Sequence, residues 1–231
     1  MKTWLHFGVL WLGIVSLSCN IVSSKEVKLS DYLWQQTISL HQDALQSSFI
    51  QGLKNVSLDP TNFGAFMVQD SVYCYKVKGF LDIAAANETS DPSLKSFLEA
   101  RSSSYERYYK GLFEAWHIAN ANGIHLGNAS SGYISHLQNV TLQMDPLYLV
   151  TALIPCARLW PWLGGEINVK KGNFGVYKKW VMENLDPDYH GYSKYEKVIN
   201  AAFVEGRINL NVALDVYTRS MQGEVAFFSS V

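Results

Sequence analysis

Apolar residues recur at helical spacing along almost the whole of this 231-residue chain, and no stretch alternates apolar with polar as a half-buried strand would. That regularity confines the fold to packed helices. The stretch SDYLWQQTISLHQDALQSSFIQGL opens at Ser30, a good N-cap residue, and sets Leu33, Leu40, Ala44 and Phe49 on one side, which predicts one long helix. FGAFMVQDSVYCYKVKGFLDIAAAN is apolar on most faces and predicts a central helix. Asp91–Pro92 and Asp145–Pro146 each place a cap before a proline at the first helical position. The first of these helices is expected to end near Gly123, and the second carries Pro155 and Pro161 in its interior. Each of those prolines removes a backbone donor and predicts a kink, with Cys156 between them. SGYISHLQNVTLQM, GVYKKWVMENL, YSKYEKVINAAFVEG and INLNVALDVYTRSMQGEVAFFSSV predict the remaining helices. There is no internal repeat and no low-complexity linker, so the expectation is one all-α domain over residues 26–231.

Apolar residues make up 48% of the chain and charged residues 17%, enough to build a sizeable core. The net charge is −1 and the basic residues are scattered, which argues against a nucleic-acid partner. Lys2 followed by TWLHFGVLWLGIVSLSC reads as a signal peptide over residues 1–24, cleaved between 18 and 24. No later segment reads as a membrane span, because each apolar run carries polar residues at helical spacing. Glycosylation sequons stand at Asn55, Asn87, Asn128 and Asn139, the last in mid-helix, and with the leader they predict a secreted glycoprotein. With Cys19 lost in or near the leader, Cys74 and Cys156 remain, either as free thiols or as one disulfide.

Three helices each embed a polar group in an aromatic stripe. Asp70, Tyr73 and Cys74 share a face at i, i+3 and i+4; Cys156 and Trp160 stand at i and i+4; Glu224 precedes Phe227 and Phe228. Taken singly, each has an ordinary explanation: a hydrogen-bonded buried acid for Asp70, a small core residue for Cys156, a solvated residue on a fraying end for Glu224. His117, His125 and His136 have no metal-ligand spacing, HExxH is absent, and His6 falls in the leader. The lysines of VKKGNFGVYKK read as a solvated loop, and neither a phosphate-binding glycine loop nor a GxSxG elbow occurs.

In combination, FMVQDSVYCY, GYISHL, LIPCARLWPWLG, YKKWV and GEVAFF resemble, in order and approximate spacing, the TenA/thiaminase II family, over residues 30–231. The resemblance implies the haem-oxygenase-like all-α fold and a hydrolase that needs neither metal nor organic cofactor. It implies that Cys156 is the nucleophile and Glu224 the acid/base carboxylate. Asp70 would hydrogen-bond the amino group and ring nitrogen of an aminopyrimidine, and Tyr73, Tyr133 and Phe227 would line the pocket. The implied substrate is 4-amino-5-aminomethyl-2-methylpyrimidine or thiamin, in thiamin degradation or salvage. Family members often form tetramers, a packing that four glycans would obstruct.

This chain departs from the family pattern at the pocket. Trp160 stands where a tyrosine is usual, four residues after the cysteine; Asn184 stands where a second tyrosine is usual; Ala157 to Leu159 replace residues that are often aromatic. An indole N–H donates but does not accept, so Trp160 replaces only half of a tyrosine hydroxyl. The expectation is therefore a secreted C–N hydrolase. The alternatives are a secreted protein that binds an aromatic amine or thiamin-like ligand without turnover, and an interaction glycoprotein with Cys74 tied to Cys156.

Overall fold

The computed structural model describes residues 28–231, so the leader read over residues 1–24, with His6 and Cys19, lies outside the described residues. Among the described residues ten α-helices follow one another: α1 (Leu29–Gln36), α2 (Ile38–Leu45), α3 (Ser48–Lys54), α4 (Pro60–Asn87), α5 (Pro92–Ala115), α6 (Asn128–Gln143), α7 (Pro146–Glu166), α8 (Lys178–Asn184), α9 (Ser193–Val204) and α10 (Leu210–Phe228). Short 3-10 turns at Ala121–Gly123 and Gly175–Tyr177 join α5 to α6 and lead into α8. No strand occurs among the described residues. The fold is the expected all-α single domain.

The starts of the long helices follow from their caps. Asp91 accepts from the backbone N–H of Ser93 and Leu94, both at 3.0 Å, with Pro92 at the first helical position. Asp145 accepts from Leu147 N–H at 2.9 Å ahead of Pro146. Asp59 and Pro60 do the same for α4, a combination the sequence reading passed over. α4 is apolar on most faces because it is central: it packs against α5, α6 and α7. α10 closes the other side against α2, α6 and α7. α7 runs through Pro155 and Pro161 as one helix. It is long and apolar enough to cross a membrane, yet 67% of its apolar window is buried inside the bundle.

Three expectations need correction. The first predicted helix is three helices, α1 to α3. The breaks fall at Thr37 and Ser47, whose hydroxyls donate to the carbonyls of Leu33 and Trp34 and of Ala44. Ser30 is not the cap; Lys28 holds that position, and Ser30 lies buried inside α1, where its N–H donates to Asn200 Oδ1 and its hydroxyl accepts from Asn200 Nδ2, each at 2.9 Å. α5 stops at Ala115, short of Gly123, in a Schellman motif. His117 takes the left-handed conformation (φ 53°), while its N–H donates to Glu114 O and that of Ile118 to Phe113 O.

Asn55, Asn87, Asn128 and Asn139 are all exposed. The first three stand at helix ends, and Asn139 lies three helical turns beyond Asn128 on the same side of α6.

Candidate active site

A cavity of about 360 Å³ opens between α4, α5, α7 and the segment 183–195. That volume suits a small heteroaromatic ligand. α4 contributes Asp70, Tyr73 and Cys74, the face predicted from their i, i+3, i+4 spacing. α7 contributes Cys156, Ala157, Trp160 and Pro161. Cys74 and Cys156 are both free thiols.

Glu224 is buried, with 2% of its surface exposed, so it is not the solvated end residue its position near the C-terminus suggested. Both its oxygens are held. Tyr133 Oη donates to Oε1 at 2.9 Å, and Trp160 Nε1 donates to Oε2 at 3.0 Å. The Cys156 thiol lies beside the same carboxylate. α6 delivers Tyr133 because Gly223 leaves room for it: a Cβ at Gly223 would come within 2.6 Å of the tyrosine ring. The Tyr73 ring packs 5.0 Å from that of Tyr133. The Tyr73 hydroxyl is buried without a conventional partner, next to the Cys156 thiol.

Burial pushes Glu224 up to about 7, against the pull of the bonds from Trp160, Tyr133 and Cys156. Burial, and then the charge of Glu224, push Asp70 up to about 7. The donor recorded for the Asp70 carboxylate is the Cys74 thiol, at 4.0 Å, a weak bond for a buried acid. Burial, then Glu224 and Asp70, raise the Cys156 thiol well above the ordinary thiol range. Cys156 is therefore a neutral thiol between two acids that titrate near neutrality, and it becomes a thiolate only by handing its proton to a neighbour. Among the described residues no group of three or more His, Cys, Asp or Glu side chains gathers as a metal site requires.

The cavity wall differs from the expected one in two ways. Tyr133 and Phe227 do not line it. Tyr133 stands in the layer behind with Glu224, and Phe227 is drawn into the aromatic core, its ring 4.5 Å from that of Phe66. The second difference is on α5, where sequence reasoning placed nothing. Arg101, Ser104, Tyr105 and Tyr108 line the cavity, joined from beyond α8 by Tyr189 and Tyr195. The spacing i, i+4, i+7 of Arg101, Tyr105 and Tyr108 was a legible stripe. It also resolves the departure at Asn184, whose Oδ1 accepts from Tyr108 Oη at 2.8 Å on the cavity wall. A phenol from α5 thus stands beside Asn184 on the cavity wall.

No protein-family model and no curated protein matches the sequence. Solved structures do match in three dimensions. A TenA homologue from Pyrococcus horikoshii superposes with a TM-score of 0.72 at 15% identity, covering 87% of this chain and 97% of that one. A protein described as a TenA family transcription regulator from Silicibacter gives 0.72 at 16% identity, with 88% and 96% covered. A protein described as a TenA-like thiaminase from Sulfolobus solfataricus gives 0.67 at 20% identity, with 88% and 95% covered. The chain has the all-α, haem-oxygenase-like fold of TenA proteins, as its motif order implied.

Proposed function

We propose that the protein is an exported aminopyrimidine hydrolase of the thiaminase II type, acting in thiamin degradation or salvage. The observation that carries this reading is the contact of Cys156, on the wall of a ring-sized cavity, with Glu224 buried behind it, together with an Asp70 on the same wall that has almost no donors. An acid buried with so little compensation fits a ligand rich in N–H and ring nitrogen. Asp70, protonated near neutral pH, donates to the ring nitrogen, and its second oxygen accepts from the exocyclic amine. The ring so polarised is open to attack. Cys156 gives its proton to Glu224 and the sulfur adds to the ring, which loses aromaticity. The C–N bond at the adjacent methylene breaks, and Glu224 returns the proton to the departing amine. Water, deprotonated by Glu224, adds to the exocyclic methylene. The thiolate then leaves and the ring becomes aromatic again, giving the hydroxymethylpyrimidine. Tyr73, Tyr105 and Tyr108 supply flat apolar contact for the ring.

The exported state rests on the leader-like residues 1–24 and on the exposure of all four sequon asparagines. A ligand-binding protein without turnover is the second reading. On its side stands the engagement of both Glu224 oxygens by Tyr133 and Trp160.

The test is alkylation of the purified protein with iodoacetamide, with and without 4-amino-5-aminomethyl-2-methylpyrimidine. Hydrolysis lost in step with labelling of Cys156, and protection of both by the substrate, supports the enzyme. Tight binding with no hydroxymethylpyrimidine formed supports the binder.

A further inference from the structure

Arg101 is a cation in the cavity wall to which the proposed reaction gives no task. It sits half-buried on α5, one helical turn before Tyr105. Its Nε is buried and has no hydrogen-bond partner. Among the described residues no carboxylate lies within 4.0 Å of its guanidinium, whereas Arg158 is paired with Glu196 and Arg207 with Asp91. The rings of Phe97 and Tyr195, with centroids 5.8 and 6.0 Å away, hold the guanidinium in place without neutralising it. A cation kept in a cavity wall with a desolvated donor and no counter-ion is costly, unless a ligand supplies the anion.

Geometry limits where that anion attaches. Cys156 on α7 and Asp70 on α4 mark the place of the reacting ring, and Arg101 lines the same cavity from α5. In the proposed pose Asp70 takes the exocyclic amine and the ring nitrogen, so an anion that reaches Arg101 is carried on a substituent of the ring, and the exocyclic methylene is where the substrate bears one. Glu183 and Asp186 also border the cavity, but they are exposed on its rim, where water and salt screen them.

We infer that Arg101 makes the site selective for aminopyrimidines whose methylene substituent carries an anion, a carboxylate or a phosphate. The inference rests on the hydrolase reading for the position of the ring. It does not depend on turnover.

The experiment compares matched ligands differing in that charge: thiamin against thiamin monophosphate, and 4-amino-5-aminomethyl-2-methylpyrimidine against its N-carboxyethyl derivative. kcat/KM is measured on the wild type, Arg101→Gln and Arg101→Lys, and Kd by calorimetry in a Cys156→Ala background, with thermal melting of each variant to verify folding. The expected result is about a tenfold or greater preference for the anionic member of at least one pair, in both quantities. Arg101→Gln removes that preference and Arg101→Lys keeps part of it. The pair with the larger preference tells phosphate from carboxylate. A Kd preference that depends on Arg101, with no turnover of any ligand, supports this inference and sinks the hydrolase reading. Equal values for both members of each pair, or a preference that survives Arg101→Gln, overturns the inference whether or not the ligands are hydrolysed.

Discussion

The indole N–H of Trp160 donates to Oε2 of Glu224 at 3.0 Å, joining α7 to α10 beside Cys156. A tyrosine hydroxyl would both donate and accept there, whereas the indole only donates, and that is the half a carboxylate uses. The bond favours the ionised acid and so holds Glu224 lower than burial alone would leave it. In Trp160→Phe the Glu224 carboxyl therefore moves up, and the acid limb of the kcat/KM profile moves to higher pH. At pH 6.5 we expect kcat/KM to fall by about tenfold, with less loss at pH 8. A pH-rate series on the two proteins checks this.

Asp70 and Glu224 are both raised to about 7, and the charge of Glu224 bears on Asp70, so the two titrate as a coupled pair. The proposed first step needs Glu224 ionised and Asp70 protonated. The wild-type profile is therefore a narrow bell around neutrality. Asp70→Asn carries a side chain that stays neutral, so its profile keeps the acid limb and loses the alkaline one. Its KM stays within about threefold of wild type, because the amide N–H donates to the ring nitrogen and its carbonyl accepts from the exocyclic amine, while kcat falls because the amide gives no proton to the ring.

The same burial sets a stability cost with a definite sign. A carboxyl whose folded pKa is raised binds more protons folded than unfolded, so stability is highest below its unfolded value and falls as pH rises through the folded one. For Asp70 that window runs from 3.8 to about 7. Asp70→Asn escapes the cost. At pH 8 it should be more stable than the wild type by on the order of 2–4 kcal/mol, with the gain vanishing below about pH 4. Urea denaturation at the two pH values measures it.

Gly223 has no room for a side chain, since a Cβ there would come within 2.6 Å of the Tyr133 ring. Gly223→Ala pushes Tyr133 off Glu224 Oε1. We expect a loss of about 1–3 kcal/mol in stability together with a clear fall in kcat. Tyr133→Phe removes the bond without the clash, so it should lower kcat while its urea midpoint stays closer to the wild-type one.

Much of this was legible in the sequence, for local reasons. Asp91–Pro92 and Asp145–Pro146 mark helix starts because a cap and a missing N–H act within one turn. The faces holding Asp70 with Tyr73, and Cys156 with Trp160, follow from helical spacing alone. What was not legible depends on which helix packs against which. The breaks at Thr37 and Ser47 are not announced by composition, because the same backward hydroxyl bonds occur at Ser71 and Thr151 inside unbroken helices. Glu224 taken alone reads as a solvated end residue, and only the ordered set of motifs made it a buried acid; its burial comes from the cover of α2, α6 and α7 over α10. The α5 wall escaped notice because Arg101, Ser104 and Tyr108 are polar enough to read as a surface stripe until the segment 183–195 is laid across them.

The account stands or falls on the sulfur of Cys156. The most direct measurement is hydroxymethylpyrimidine release from 4-amino-5-aminomethyl-2-methylpyrimidine by Cys156→Ala and wild-type protein at pH 7, each with its substrate Kd. The account predicts release at background level from the variant, with Kd within about threefold of wild type, because nucleophilic addition is lost while the cavity remains. A variant that keeps about a tenth or more of wild-type turnover would contradict it.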